Sequence, residues 1–316
     1  MAGVMDEVNQ RTRLVGHNRL ELLLFRLGSR QRFGINVFKI QEVIKCPPLT
    51  HVPRSHPVVR GMAHMRGKTI PVMDLGLAIG GPALKEYAGS FIIITEYNRS
   101  IQGFLVSSVD RIVNMKWETI LPPPKGAGNN SYMTAVTHVD NDLVEIIDVE
   151  KVLAEVSGTV TEVSDAVLQS SGAEAAERRT HQHILVVDDS SVARKQIVRT
   201  LEQLGVTCTV ACDGRQALTL LQKLADEDVS VTERFAMVIS DVEMPEMDGY
   251  TLTTEIRKDP RLKDLYVMLH TSLSGVFNAA LVQKVGANTF LPKFHADDLA
   301  QNVIKHLEQA SSVQAA

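Results

Sequence analysis

Three acids, a hydroxyl and an ammonium stand at the ends of short apolar runs in the second half of the chain. "ILVVDDS" finishes in Asp188 and Asp189, "MVISDVEMPEMDG" places Asp241 directly after its run, "VMLHTS" places Thr271 and "TFLPK" places Lys293. Carboxylates suit hard divalent cations, a hydroxyl donates to an anion, and lysine supplies a compact positive charge. Taken singly each residue is a weak signal, because paired acids and run-end residues favour caps and turns for conformational reasons. Their conjunction at successive run ends is much harder to produce by accident.

Those positions share an edge if the runs are strands of one parallel sheet, where ligands gather at the carboxyl ends. The runs "ILVV", "TCTVA", "FAMVIS", "YVMLH" and "NTFL" alternate with helical stretches, the α/β pattern of such a sheet. Ser190 or Ser191 is placed to cap the first helix. Ala193, Ile197, Leu201 and Leu204 follow at helical spacing, and Gly205 ends it. Leu218, Leu221 and Leu224 serve the second helix, Leu281 and Val285 the fourth, and Leu299, Val303 and Leu307 the last. Five strand–helix units result.

With these residues in hand, "ILVVDDS…MVISDVEMPEMDGY…VMLHTS…FLPK" resembles the receiver domain of two-component response regulators, over approximately residues 182–310. The intervals of 30 residues from Asp241 to Thr271 and 22 from Thr271 to Lys293 match that family. The resemblance implies a flavodoxin-like (βα)5 fold with Asp241 as phosphoacceptor. It also implies Mg²⁺ held by Asp189, Asp241 and the backbone carbonyl of Glu243, with Asp188 acting mostly through a coordinated water. Lys293 and Thr271 would contact phosphoryl oxygens. Such a site needs positioning and charge compensation more than covalent help. Its owner is a phosphoacceptor with at most slow autodephosphorylation, not an enzyme. Thr271 and Phe290 fit the family's switch pair, although an aromatic on a buried strand needs no reason beyond packing. In departures from the family's pattern, Pro292 precedes Lys293 where Pro usually follows the Lys, Ser272 stands where Ala is frequent, and "ADEDVSVTERF" lengthens one connection.

Residues 1–156 carry no catalytic constellation. His51, His56, His64 and His138 are dispersed without metal-ligand spacing. Short apolar runs such as "LELLLFRLG", "TIPVMDL", "FIIITEYN" and "LVEIIDVE" are punctuated by Gly, Pro or Asn, which predicts many short antiparallel strands. "FKIQEVI" and "VEKVLAEV" read as short helices. The segments "LLLFRLGSRQRFGINVFKIQEVI", "VVRGMAHMRGKTIPVMDL", "EYNRSIQGFLVSSVDRIV" and "DNDLVEIIDVEKVLAEV" resemble the coupling protein CheW. That resemblance implies an all-β pair of five-stranded barrels bridging chemoreceptors to the histidine kinase CheA. Glu42 and Arg66, with Ile40, would lie near a protein-binding surface. A Glu42–Arg66 ion pair that merely braces a turn is the simpler and slightly favoured account.

A CheW-like domain joined in this order to a receiver resembles the CheV family, and the order is informative because most receivers precede their output domain. The expected division is a coupling domain over 16–156, a linker over 157–180, rich in Ser, Ala, Glu and Thr, and a receiver over 181–311. The 316 residues suit two domains, and 44% hydrophobic with 22% charged content is ordinary for a globular protein. A formal charge of -4 with scattered basic residues gives no reason to expect nucleic acid. Cys46, Cys208 and Cys212 form no disulfide framework. No apolar run is long enough to cross a bilayer, and the N-terminus lacks a signal core. The expected place is the cytoplasm, at membrane-associated receptor arrays, with chemoreceptors, CheA and CheW as partners. Phosphorylation would tune the coupling. The rival expectations are a phosphate sink that drains the kinase and a constitutive scaffold.

Overall fold

A computed structural model describes residues 19–97, 100–116, 119–123, 132–157, 162–170, 179–227, 229–271, 282, 284–293 and 295–314. The chain divides into two units, one over Arg19–Thr159 and one including Val160–Ala316.

Among the described residues of the first unit the apolar runs become ten strands. They are β1 (Arg19–Arg26), β2 (Arg32–Asn36), β3 (Ile40–Lys45), β4 (Val59–Met65), β5 (Lys68–Asp74), β6 (Phe91–Tyr97), β7 (Ser100–Val106), β8 (Ser108–Lys116), β9 (Met133–Val139) and β10 (Asp142–Ile147). They form two five-stranded sheets, ordered β8-β1-β2-β10-β9 and β3-β6-β7-β5-β4. Each sheet has its own core, one around Leu22, Leu24 and Val144, the other around Ile70, Val72 and Ile92. The sheets are mixed. β2 pairs in parallel with β10, and β5 with β7, where the local alternation predicted antiparallel pairs. Both parallel pairs join strands that are not consecutive, so local alternation holds no record of them.

"FKIQEVI" is not a helix. Val37–Lys39 makes one 3-10 turn, and the rest is β3, paired antiparallel with β6 from Ile40↔Thr95 to Lys45↔Phe91. Ile40, Val43 and Ile44 are β-branched, and pairing with the buried "FIII" run overrides their helical spacing. "VEKVLAEV" is helical. It lies in α2 (Val149–Ser157), the second helix after α1 (Leu75–Ala78).

The second unit is a parallel sheet of β11 (His183–Val187), β12 (Thr207–Ala211), β13 (Met237–Ser240), β14 (Val267–Thr271) and β15 (Thr289–Pro292), ordered β12-β11-β13-β14-β15. Residues of β13 and β14 are buried throughout, as expected for strands covered on both faces. Leu185, Val187 and Val238 enter one core, while Ile184, Val186 and Ile239 enter the other. Its helices include α3 (Asp165–Leu168), α4 (Ser191–Gln203), α5 (Gly214–Asp226), α6 (Val231–Arg234), α7 (Gly249–Lys258) and α8 (Ala296–Gln314).

Ser190 caps α4 by accepting from the Ala193 N–H at 3.4 Å, and Gly205 follows the helix at φ 79°. Ala193, Ile197, Leu201 and Leu204 are buried as their spacing predicts, and so are Leu299, Val303 and Leu307 on α8. Val285 is half-buried, whereas Leu281, Ser272 and Phe294 lie outside the described residues. The lengthened connection supplies α6, which buries its own Val231 and the Phe235 that follows it. α3 falls in the stretch read as linker, and Val163 and Val167 are buried in the same core as Ile197 and Leu201. The strand order reverses between β11 and β13, and in open parallel sheets ligands bind at the carboxyl ends of such a pair.

Candidate functional site

Backbone bonds fix the edge before any side chain is considered. Asp188 N–H donates to the Ala211 carbonyl at 3.3 Å, Asp241 N–H to Val187 at 2.7 Å and Lys293 N–H to Thr271 at 2.9 Å. These bonds bring the ends of β11, β12, β13, β14 and β15 level. Asp188, Asp189 and Asp241 consequently each offer an oxygen, all lying within 4.8 Å of one another. Lys293 Nζ sits 2.7 Å from Asp188 Oδ2 and 2.8 Å from Asp241 Oδ2, with all three side chains essentially out of water.

The acids are held by their own loops. Asp188 Oδ1 accepts from the Ser190 N–H at 2.9 Å, and Asp241 Oδ1 from the Val242 N–H at 2.7 Å. Arg194 on α4 donates through Nη1 to the Asp188 carbonyl. Asp248 caps α7, accepting from the Thr251 N–H at 2.8 Å and the Thr251 hydroxyl at 2.7 Å. Gly249 then passes so close to the Asp241 loop that a Cβ would lie 2.1 Å from the Asp241 carbonyl oxygen. Gly214, at the start of α5, meets the Met247 carbonyl in the same way, at 2.5 Å. The tight "MDG" turn is therefore a steric requirement of this edge.

Three carboxylates gather around one ammonium, and Asp188 and Asp241 carry their charge out of water while Asp189 is half-buried. Burying that charge is costly unless another cation shares it. Tyr250 senses the same field: burial pushes its phenol above the ordinary range, and the carboxylates of Glu243, Asp248 and Asp241 push it further. An all-oxygen donor set with excess negative charge fits a hard divalent ion. Among the described residues no histidine or cysteine joins such a group. The cysteines are unpaired by disulfides, and burial raises the Cys208 thiol to about 12, which keeps it protonated.

Thr271 is fully buried at the end of β14, opposite Pro292 in register. Phe290 stands opposite Leu269 on β15, half-buried against the core that contains Leu185 and Val238. Glu243 is buried two residues beyond Asp241. The edge thus gathers Asp188, Asp189, Asp241 and Lys293, with Thr271 at the end of the neighbouring strand.

Residues 21–157 match the CheW-like domain family, and residues 184–304 match the response regulator receiver domain family. Along nearly its whole length the chain is similar to chemotaxis protein CheV3 of Helicobacter pylori, at 31% identity over 92% of this chain and 96% of that protein. The chain belongs to the CheV family. Chemotaxis proteins CheV1 and CheV2 of the same organism share 28% and 26% identity, covering 98% and 96% of this chain and the full length of each relative. It is a CheV-type coupling protein carrying a receiver domain, and its acidic trio is consistent with a Mg²⁺ site.

In the CheW-like unit of this CheV-family chain, Glu42 on β3 and Arg66 in the β4–β5 turn come together. Arg66 Nη2 lies 2.8 Å from Glu42 Oε2, with the arginine side chain 82% exposed. Arg66 and Gly67 form the turn with φ 46° and 77°. Ile40 begins the same strand as Glu42 and is half-buried. His64 shares a 3.2 Å hydrogen bond with Thr69, and His56 Nδ1 accepts from the Val58 N–H at 3.4 Å. The sequence reading did not single out Gly249, Gly214 or Arg194. For Gly249 the signal was present, an Asp-Gly pair immediately before a helix. For Arg194 there was none.

Proposed function

We propose that this protein couples chemoreceptors to the histidine kinase CheA through its CheW-like unit, and that phosphorylation of Asp241 adjusts the coupling during adaptation. The observation that carries the reading is the buried Lys293 ammonium between Asp188 and Asp241. That arrangement matches a site that must attract a phosphoryl group to a carboxylate. An Asp241 oxygen takes the phosphoryl group from a kinase phosphohistidine, so an O–P bond forms as the N–P bond breaks and the imidazole leaves. Asp188, Asp189, Asp241 and the Glu243 backbone carbonyl would hold Mg²⁺. When bound, the ion screens the repulsion between carboxylate and phosphoryl group.

Lys293 neutralises one phosphoryl oxygen as a point charge, and the Thr271 hydroxyl donates to another. Movement of Thr271, with repacking of Phe290, would report occupancy to the rest of the domain. Ile40, Glu42 and Arg66 form the candidate partner surface. The site of action is the cytoplasmic tips of the receptors, beside CheW. No helix among the described residues is long and apolar enough to cross a membrane.

The test is to incubate the full chain with phosphorylated kinase and Mg²⁺, beside the Asp241→Asn variant. Label passes to the wild type and not to the variant; equal labelling of both ends the assignment. In cells, Asp241→Ala joins receptor arrays normally but alters adaptation. Unaltered adaptation would reduce the receiver to a phosphate sink or a passive appendage.

A further inference from the structure

Residues 163–168 lie between the CheW-like unit and the first strand of the receiver, yet they pack as part of the receiver. Val163 and Val167 are buried, at 5% and 4% exposure, while the three residues between them are exposed. One turn of helix, closed by the Val167 and Leu168 N–H groups on the Ser164 carbonyl, presents both valines to one side. That side joins the core made by Ile197 and Leu201 of α4 and Val303 and Leu307 of α8, with Leu168 packed at its margin. Two backbone donors are also engaged. Val163 N–H donates to Gln203 Oε1 on α4 at 2.9 Å, and Ser164 N–H donates to Asp297 Oδ1 on α8 at 2.7 Å.

The second bond matters because of where Asp297 sits. It lies in the first turn of α8, four positions after Lys293. One short connection therefore has two anchors. Its Lys293 end is held by the acids at the sheet edge, and its Asp297 end by the backbone of the linker segment.

We propose that residues 163–168 form a strap docked between α4 and α8, and that phosphorylation of Asp241 releases it through the Lys293–Asp297 connection. The proposal rests on Asp241 being the phosphoacceptor. Without phosphate, Lys293 Nζ is shared between two carboxylates. Phosphorylation replaces the single negative charge of the Asp241 carboxylate with about two, now spread over phosphoryl oxygens farther from the backbone, and the ammonium must leave Asp188 to follow those oxygens. The Lys293 backbone stays tied to Thr271, so the displacement passes forward along the chain towards α8. The strap fits the arrangement that precedes this shift. Among the described residues its contact is made by two valines, a leucine margin and two hydrogen bonds, small enough for one charge rearrangement to tip. Docked, it leaves residues 158–162 as the chain between α2 and the strap; released, it adds its own length to that tether.

Linkage makes the effect reciprocal: if phosphate releases the strap, loosening the strap favours phosphate. Ser164→Pro is the selective variant. Ser164 already has φ -64° and makes no side-chain cap bond, so proline fits the backbone and removes only the N–H that Asp297 accepts. The measurement uses the full chain with Mg²⁺ and beryllofluoride as a reversible phosphoryl mimic, with occupancy read by fluorine NMR and exchange of 163–168 by mass spectrometry. Amides of the strap exchange faster by roughly fivefold or more on occupancy, and Ser164→Pro binds the mimic tighter by a similar factor. A fully occupied site with unchanged strap exchange, or equal affinity in the variant, overturns the strap and leaves the phosphoacceptor reading standing. Absence of any bound fluoride signal overturns both.

Discussion

Lys293 is the residue on which the receiver site's electrostatics turn. Its ammonium is buried with two carboxylates in hydrogen-bond contact and a third nearby. Removing one member of a buried charge cluster costs more than the pair itself is worth, because the remaining charges stay buried without compensation. Lys293→Met should therefore lower the stability of the receiver by about 3 kcal/mol, measured by urea unfolding. Mg²⁺ should restore more stability to this variant than it adds to the wild type, since ion and ammonium serve the same oxygens. Equal Mg²⁺ increments in both proteins would show that they do not share those ligands. Gly249 makes a steric argument of the same kind. With 2.1 Å between a built Cβ and the Asp241 carbonyl oxygen, Gly249→Ala must displace backbone, and phosphoryl labelling of Asp241 should fall along with stability. Labelling at the wild-type rate would mean that the loop tolerates the shift. The acids, the hydroxyl and the lysine could be read from the chain because each follows a recognisable apolar run. The Gly249 contact could not, because it joins two loops only after the sheet has formed.

At the level of elements, the receiver's strands and helices follow their apolar spacing closely, and α4 carries its cap, buried stripe and terminating glycine where the residue types put them. β3 is the contrary case. Its six residues suit either state, and the partner β6 decides between them, which is information that no local window contains. α3 is similar: Val163 and Val167 stand among small and polar residues, and only the groove between α4 and α8 reveals their role. α8 also carries a pH-sensitive contact. His306 stacks on Tyr266 with ring centroids 3.6 Å apart, and burial holds its imidazole below the ordinary 6.5 despite the bond to the Ala236 carbonyl. His183, on β11, is lowered too, by burial first and then by Arg234. A depressed folded pKa means that the unfolded chain binds the proton more readily below 6.5. Stability is then fully present above that pH and lost as the pH falls through the lower folded values. His306→Gln should flatten this loss, seen as a smaller difference between unfolding midpoints at about pH 7.5 and about pH 5.5. An unchanged difference would remove His306 from the account.

For the molecule as a whole, the two units divide the work by chemistry. Among the described residues, the metal-fit acids all belong to the receiver, while the CheW-like unit offers sheets, turns and an exposed Glu42–Arg66 pair. Each unit has its own buried core, so perturbations should stay in the unit that receives them. Mg²⁺, Lys293→Met and His306→Gln are thus expected to move only the receiver transition in unfolding followed by hydrogen exchange. Arg66→Ala addresses the other unit. A surface pair of this kind is worth at most about 1 kcal/mol, because the exposed guanidinium keeps most of its hydration. The β4–β5 turn is set by its backbone, with Arg66 and Gly67 in the left-handed region, and it survives loss of the guanidinium. Arg66→Ala should accordingly leave the CheW-like transition within about 1 kcal/mol of wild type. Recruitment of that folded variant to receptor–kinase arrays then separates two roles for the arginine. Normal recruitment means the pair only braces its turn, and lost recruitment with intact stability means the side chain faces a partner.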